Sequence, residues 1–296
     1  MASNKIIAIL GGDTRQLSLA AFFAERGFTV RVFGLPCKEE GGLLCAKDWK
    51  SAVCGAVAVV LPLPACADGR RVHMPLAPET EAPLLTDVFE TVKGDIPLFG
   101  GKFSPAVKSK AQAYGVRLVD YFENEELQQK NALPTAEGAV SVLMRETPRT
   151  VSGLPVAVTG YGRVAKALIR LLLAMGAQVT VLARKKEDIL SAKALGCRTV
   201  HLTGSDALTA FAKEQTVIFN TVPHWLFSDT VLAEMSKESL IIDLASAPGG
   251  VDANAAAARG IRVIWALSLP GKYAPVTAGE IIAETVLAHL QQEGLV

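Results

Sequence analysis

The sequence predicts an α/β protein of two domains, a C-terminal doubly wound Rossmann domain and an N-terminal α/β domain with a parallel sheet. Short β-branched runs alternate with helical patterns from end to end, an arrangement typical of parallel sheets covered by helices. A chain of 296 residues is long enough for two domains of ordinary size. Half of the residues are hydrophobic and 20% are charged, so both domains can bury a core.

Two helical segments mark the expected domain boundaries. Residues 134–144 carry an apolar face and end before Pro148, and residues 277–291 begin with a capping box, Thr277 to Glu280. We therefore expect an N-terminal α/β domain over 1–132, a crossover helix over 133–150, a Rossmann domain over 151–274, and a C-terminal helix over 275–296 that returns to the first domain.

The strand pattern is most regular in the second half, where six strands alternate with helices as in a complete nucleotide-binding domain. The first half is predicted to contain strands at 6–10, 29–33, 56–61, 96–99 and 117–119, and the second at 156–159, 178–182, 198–202, 217–220, 240–243 and 262–265.

A dinucleotide-binding fingerprint follows the first strand of the second domain. Gly160 permits a tight turn, Gly162 leaves room for a pyrophosphate, and Ala165 allows close helix packing. The helix after the turn directs its free amides at the anion. The segment predicted to bind the nucleotide consists of Gly160, Tyr161, Gly162, Arg163 and Val164, with Ala165 behind it.

A second glycine turn, Gly11-Gly12, lacks this spacing, because Asp13 and Thr14 stand where the second glycine belongs. The turn instead presents Asp13, Thr14 and Arg15 at the carboxyl end of a strand, where ligands bind in open α/β sheets. These residues are predicted to contact the substrate, although a purely structural turn is the alternative.

The nucleotide is predicted from the residues after the second strand of the fingerprint. NAD sites place an acid about 20 residues beyond the motif, but here Ala183, Arg184 and Lys185 occupy the strand end. Arg184 can pair with a 2′-phosphate, and Lys185 adds charge. We expect NADP, with NAD possible; a solvated basic turn is the alternative.

Loops after later strands supply further candidates. Thr221, Val222 and Pro223 are expected to line the nicotinamide half of the site, and His224 can transfer protons. A histidine with no role in the reaction is the alternative for His224. Ser246, Asn131 and Thr135 are candidate substrate contacts, and Glu137 a candidate acid; helix capping is the alternative for Thr135 and Glu137.

Charge and cysteine content exclude several functions. A net charge of +1 argues against nucleic acid or a membrane surface as a partner. The five cysteines form no CxxC pair, so we expect buried thiols in a reducing compartment and no metal site. No segment approaches the length of a membrane span, and we expect a cytoplasmic protein.

Several longer motifs give the chain a family resemblance. It resembles the A subunit of dipicolinate synthase through GGDTRQ at 11–16, NALPTAEGAV at 131–140, TGYGRVA at 159–165, DLASAPGGVD at 243–252 and LPGKYAPVTAGEII at 269–282. The wider architecture resembles alanine and 2-hydroxyacid dehydrogenases and adenosylhomocysteinase. The resemblance implies NADP-dependent oxidation of dihydrodipicolinate, or of its 4-hydroxy-tetrahydro precursor, to dipicolinate during spore formation. It also implies a partner, the flavoprotein-like B subunit of the same enzyme; a homo-oligomer is expected.

The implied substrate carries two carboxylates that need cations. Arg15 can pair with one of them bidentately, and the amides of a helix starting at Thr135 can bind the same or the other one. Lys102 and Lys272 are further candidates, and Glu137 or Asp13 can help water leave from a hydroxylated precursor. Two other functions stay open: a different NAD(P)-dependent amino- or hydroxy-acid dehydrogenase, and a nucleotide-sensing module without catalysis.

Overall fold

Two parallel six-stranded sheets form the protein. A computed structural model describes residues 5–92 and 94–296. Both sheets carry helices on their two faces, which confirms the predicted α/β class. The chain divides into two compact units, one with residues 5–131 and 274–296 and the other with residues 132–273.

The first unit contains a sheet of order β3-β2-β1-β4-β5-β6. Its strands are β1 Ile6–Leu10, β2 Thr29–Phe33, β3 Leu43–Cys45, β4 Ala58–Val60, β5 Gly94–Gly100 and β6 Val116–Asp120. Its helices are α1 Thr14–Glu25, α2 Trp49–Val53, α3 Leu85–Val92, α4 Pro105–Ala113 and the C-terminal α12 Pro275–Gln292.

The central strand β1 is buried on both faces. Ala8 and Leu10 belong to the core under α2, α3 and α4, whereas Ile7 and Ile9 belong to the core under α1 and α12. Alternate side chains of a strand point to opposite faces of the sheet, so an uninterrupted apolar strand of this kind requires helices on both sides.

The second unit contains a sheet of order β12-β11-β10-β7-β8-β9. None of the helices in the described part of the chain is long and apolar enough to cross a bilayer. The elements of the unit after α5 Glu125–Glu146 are β7 Pro155–Thr159, α6 Arg163–Ala174, β8 Gln178–Ala183, α7 Lys186–Ala194, β9 Arg198–His201, α8 Ser205–Lys213, β10 Val217–Asn220, α9 Asp229–Ala233, β11 Leu240–Asp243, α10 Ala253–Arg259, β12 Arg262–Trp265 and α11 Leu269–Tyr273.

The helix expected over 134–144 is longer than predicted, because α5 starts at Glu125. Asn124 caps it: its Oδ1 accepts a hydrogen bond from the Leu127 amide at 2.9 Å. The predicted range placed Pro134 at the helix start, a position at which proline is favoured. In the structure Pro134 lies inside the helix, where it removes one backbone hydrogen bond.

The start of α12 also differs from the prediction. Pro275 is its first residue, and Ala274 provides no side-chain cap. The predicted capping box from Thr277 to Glu280 is wrong, because both residues already lie within the helix. Proline at the first helical position has its dihedral angle preset for the helix and needs no partner for an N–H.

Two features near the edge of the first sheet were not predicted. Strand β3 has only three residues and is largely exposed, so its short apolar run is too brief to show the periodicity of a strand. Cys37 and Cys45 form a disulfide, with 6.1 Å between their Cα atoms, so the expectation of free thiols is wrong for this pair. The chain between them turns back at the Glu40–Leu43 bridge and brings the two cysteines together. Cys54, Cys66 and Cys197 are free.

Helices α1 and α12 approach each other closely at Gly279. A Cβ atom at this position would lie 2.3 Å from the carbonyl oxygen of Arg15 and 2.7 Å from Cβ of Ser18. The absence of a side chain at Gly279 therefore sets the distance between the two helices that cover this face of the sheet.

We predict that Gly279→Ala destabilises the protein by about 1–3 kcal/mol, because overpacking forces the two backbones apart. Intrinsic helix propensity alone predicts the opposite sign, a gain of up to about 1 kcal/mol. Urea unfolding of wild type and variant measures the change in the free energy of unfolding, and Glu280→Ala, at an exposed position of the same helix, is the control. A Gly279→Ala protein as stable as the wild type would contradict the close packing.

Candidate active site

The turn between β7 and α6 has the geometry of a dinucleotide-binding loop. Gly160 follows the strand with a φ of +90°, which only glycine adopts readily. A Cβ atom at Gly160 would also lie 2.7 Å from Thr221 Oγ1 and 2.9 Å from Val222 Cγ2. The turn and the loop after β10 therefore pack directly against each other at this position.

Gly162 leaves an open space over the start of α6. It is the N-cap residue of the helix, and no side chain caps the helix there. A Cβ atom at Gly162 would meet no protein atom within 4 Å, which is the room that a pyrophosphate needs above the helix amides. Ala165 is fully buried and lets the helix pack closely.

A cavity of about 480 Å³ lies beside this turn. It brings together most of the residues predicted to bind the nucleotide, and it adds Asp188, Leu182, Leu202 and Leu226, which sequence reading did not select. Arg163 and Val164 lie in the first turn of α6 and do not line it. The predicted residues that line the cavity are Gly160, Tyr161, Gly162, Ala183, Arg184, Lys185, Thr221, Val222, Pro223 and His224.

Three charged residues mark one end of the cavity. Arg184 follows β8, and its carbonyl oxygen lies 2.8 Å from Nε2 of His201. Lys185 is the N-cap residue of α7, with its Nζ 3.6 Å from the Glu187 carboxylate. Asp188, in the first turn of α7, places a negative charge in the same cavity. The one signal in the sequence for Asp188 is its place four residues after Arg184, in the first turn of the helix that follows the strand.

The opposite wall of the cavity is the loop from Thr221 to His224. The Thr221 hydroxyl donates a hydrogen bond of 2.8 Å to the carbonyl oxygen of Thr159, the last residue of β7. His224 lies at the rim with an exposed side chain, and Ser246 is exposed on the loop after β11.

The glycine turn of the first unit places its polar side chains against each other. Asp13 caps α1, and its carboxylate accepts hydrogen bonds from Nε of Arg15 at 2.9 Å and from Nη2 at 2.8 Å. Burial raises the pKa of Asp13, but the bonds and charge of Arg15 outweigh it, and the pKa is lowered overall. The Nε–Nη2 edge of the Arg15 guanidinium, which could pair with a substrate carboxylate, is therefore already occupied by Asp13. Nη2 also donates to the Leu63 carbonyl oxygen.

Gln16, which sequence reading did not select, completes this turn. Its Oε1 accepts a hydrogen bond of 3.0 Å from the Asp13 amide, so a capping box forms at the start of α1. Gln16 is fully buried, and within the described ranges 5–92 and 94–296 its Nε2 has no hydrogen-bond partner.

Two further basic groups lie in the electrostatic field of Arg15. Burial lowers the pKa of His73, and Arg15 lowers it further, while Asp13 acts against both. Burial also lowers the pKa of Lys102, and Arg15 adds to this effect while Asp120 opposes it. His73 was not predicted as a site residue; its backbone carbonyl accepts a hydrogen bond from the Gly12 amide at 2.9 Å.

The remaining candidates lie on helices. Thr14 is the first residue of α1, Asn131 and Thr135 are half-buried on α5, and Glu137 is exposed on α5. The expectation of free amides at Thr135 is wrong, because α5 starts ten residues earlier and those amides lie inside the helix. Lys272 is exposed on α11. Within the described residues no three His, Cys, Asp or Glu side chains are grouped to hold a metal.

Comparison with known proteins defines the class of the chain. Residues 155–247 match the family described as NADP oxidoreductase, coenzyme F420-dependent. An L-alanine dehydrogenase structure shares the fold, with a TM-score of 0.67 at 15% identity over 98% of this chain and 91% of that one. With this match and two parallel α/β sheets, the chain is an NAD(P)-dependent oxidoreductase of two α/β domains.

The family follows from matches along the whole chain. Residues 6–122 match the family described as the N-terminal domain of the dipicolinate synthase A subunit. The chain is 31% identical to the dipicolinate synthase A subunit of Bacillus subtilis (strain 168), covering 99% of both proteins. It superposes on the A-subunit structure from Bacillus halodurans with a TM-score of 0.86 at 28% identity, covering 98% of this chain and 99% of that one. The chain belongs to the family of dipicolinate synthase A subunits.

We predict that Gly162→Ser binds NADPH about tenfold more weakly or worse and keeps its Tm. Serine is a good N-cap residue and its Cβ meets no protein atom, so the helix is not harmed. The side chain, however, fills the space above the α6 amides. NADPH fluorescence titration and thermal unfolding measure the two effects.

The matched control is Gly204→Ser, since Gly204 is the N-cap residue of α8 and is equally open. Wild-type NADPH affinity in Gly162→Ser would show that the pyrophosphate does not lie over α6.

Proposed function

We propose that this chain oxidises dihydrodipicolinate, or its 4-hydroxy-tetrahydro precursor, to pyridine-2,6-dicarboxylate with NADP as the hydride acceptor. The observation that carries the proposal is the cavity at the β7–α6 turn, with Arg184 and Lys185 at one end, in a chain of the dipicolinate synthase family. The family supports dipicolinate as the product, and the cavity supports NADP as the nucleotide.

The residues of the cavity fit NADP. In this fold the adenosine ribose lies at the end of the second strand, which here is the end of β8, where Arg184 and Lys185 line the cavity. The planar guanidinium of Arg184 can donate two parallel hydrogen bonds to a 2′-phosphate, and Lys185 adds a second positive charge. At the strand end itself, these two residues stand where NAD sites have a carboxylate; the Asp188 carboxylate lies one helical turn further on, in the first turn of α7.

The reaction sets three tasks for the protein. When bound, NADP would supply the hydride acceptor; loss of a hydride from a ring carbon and of one further proton would turn the dihydropyridine into an aromatic pyridine. The protein has to orient the ring, accept the proton and neutralise two carboxylates. If the substrate is the 4-hydroxy precursor, an acid must also protonate the departing hydroxyl group.

Cations for the carboxylates are available at the glycine turn of the first unit. Arg15 is held by Asp13, so we assign it a single charge-assisted contact to substrate, in place of bidentate pairing. Partial desolvation and the charge of Arg15 lower the pKa of Lys102, although the residue as a whole is exposed, so a carboxylate stabilises its ammonium form. Thr14, Asn131, Thr135 and Ser246 remain proposed substrate contacts.

Two histidines are candidates for accepting the proton. His224 lies at the rim of the nucleotide cavity, beside the wall expected to face the nicotinamide. His73 lies in the first unit, and its lowered pKa keeps the imidazole neutral near pH 7, as a base requires. Glu137, exposed on α5, and Asp13 are the proposed acids for removal of water from a hydroxylated precursor.

The proposal includes the setting of the reaction. The relative from Bacillus subtilis is named as one subunit of its enzyme, which implies a partner subunit. We propose that a flavoprotein-like B subunit works with this chain on the same pathway. We place both in the cytoplasm of a spore-forming cell, where the product is made.

The direct test is absorbance at the nicotinamide band after mixing the purified chain, NADP and freshly generated dihydrodipicolinate. We expect NADPH to form with dihydrodipicolinate and not with alanine or lactate in matched reactions. NADPH formation with alanine or lactate alone would identify a different dehydrogenase. A trace that stays flat, also after the flavoprotein-like partner is added, would contradict the proposed reaction and favour a nucleotide sensor.

The choice of nucleotide is tested by Arg184→Ala. Loss of a charge-assisted contact to phosphate is expected to raise the Kd for NADP about 10- to 100-fold and to leave NAD binding nearly unchanged. The control is Arg198→Ala, which removes an exposed arginine from the start of β9 in the same unit. Equal affinity of Arg184→Ala and wild type for NADP would overturn the assignment.

A further inference from the structure

A row of buried polar residues ends three neighbouring strands of the second sheet. Thr159 ends β7, Asn220 ends β10 and Asp243 ends β11, and Asn220 is directly paired in register with both others. Thr159 and Asn220 are fully buried, and Asp243 is 3% exposed. Buried polar side chains are almost always hydrogen-bonded, so each of these three is expected to have partners.

Short hydrogen bonds connect the row. The Thr159 hydroxyl donates to Asn220 Oδ1 at 2.6 Å, and Asn220 Nδ2 donates to Asp243 Oδ1 at 2.8 Å. Asn220 is therefore the central member, since it accepts from one neighbour and donates to the other.

The row also holds the two loops that follow it. Asn220 Oδ1 accepts from the Val222 amide at 3.2 Å, and Nδ2 donates to the Val222 carbonyl at 3.1 Å. The Asp243 carboxylate accepts from the amides of Ala245 at 3.0 Å and Gly250 at 2.8 Å. A Cβ atom at Gly250 would lie 2.1 Å from Asn220 Nδ2, so this second loop packs directly on the asparagine.

We infer that Asn220 is a positioning residue for the nicotinamide half of the nucleotide. Asn220 does not line the cavity itself, but it fixes the backbone amide and carbonyl of Val222, a residue that lines the cavity and packs its side chain against Gly160. The 2′-phosphate end, at Arg184 and Lys185, follows β8, which pairs with β7 on the side away from β10, so we expect this end to be affected less. The inference rests on the proposed function, since it assumes that the nucleotide occupies this cavity.

The two ends of the nucleotide can be separated with adenosine 2′,5′-bisphosphate, which has the 2′-phosphate but no nicotinamide. We expect Asn220→Ala to bind NADPH about tenfold more weakly, or worse, because the wall at Thr221–Pro223 loses its fixed position. Binding of adenosine 2′,5′-bisphosphate should change by less than about twofold. Calorimetric titration of both ligands measures the two affinities.

The matched control is Ser239→Ala. Ser239 is also fully buried, and its hydroxyl donates to the Gln215 carbonyl at 2.9 Å. It directly precedes β11, however, and therefore lies at the amino-terminal ends of the strands, away from the cavity. If Asn220→Ala does not fold, Thr159→Val removes one bond of the row and should shift NADPH affinity in the same direction by a smaller factor.

The inference is overturned if the Asn220 variant, or Thr159→Val in its place, binds NADPH as tightly as the wild type. It is also overturned if both ligands weaken equally, or if Ser239→Ala weakens NADPH as much, because either result indicates a general loss of structure. Failure of the wild type to bind adenosine 2′,5′-bisphosphate would instead contradict the proposed nucleotide site itself.

Discussion

Parallel strand pairing is the constraint on which the rest of the structure depends. In both sheets the described strands pair in parallel. The carboxyl ends of all strands of a sheet therefore lie along one side of it, the carboxyl edge. Loops leaving that edge need hydrogen bonds that the strand ladder no longer supplies. In the first sheet Asp13 and Gln16 provide them, and in the second Thr159, Asn220 and Asp243 do so. The same edge therefore holds the polar groups that stabilise the loops and those that can bind ligands.

How much the sequence could predict depends on whether a feature is local. The Gly160–Ala165 turn and the basic end of β8 are contiguous motifs, and the structure places most of them on one cavity. Asn220 and Asp243 were not selected as site residues, because the side chains that join them into a row lie 23 to 61 residues apart in the sequence and one buried asparagine has no sequence signature. The start of α5 was misplaced for a related reason: packing outweighs the local preference of Pro134.

The two units contribute different chemistry to the proposed reaction. The second unit has an open helix start at Gly162 and a basic strand end at Arg184, which together suit a phosphorylated dinucleotide. The first unit has a buried arginine with its carboxylate partner, and beside them a lysine and a histidine whose pKa values are lowered by burial. Groups perturbed in this way are typical of functional sites, and the positive charges of Arg15 and Lys102 suit a small dicarboxylate.

The most direct test of the central claim is a crystal structure of the chain with NADP. The account predicts the pyrophosphate over the amides of α6 at Gly162, the 2′-phosphate on the Arg184 guanidinium, and the nicotinamide half along the Thr221–Pro223 wall. A nucleotide bound elsewhere, or one whose 2′-phosphate makes no contact with Arg184 or Lys185, would contradict it.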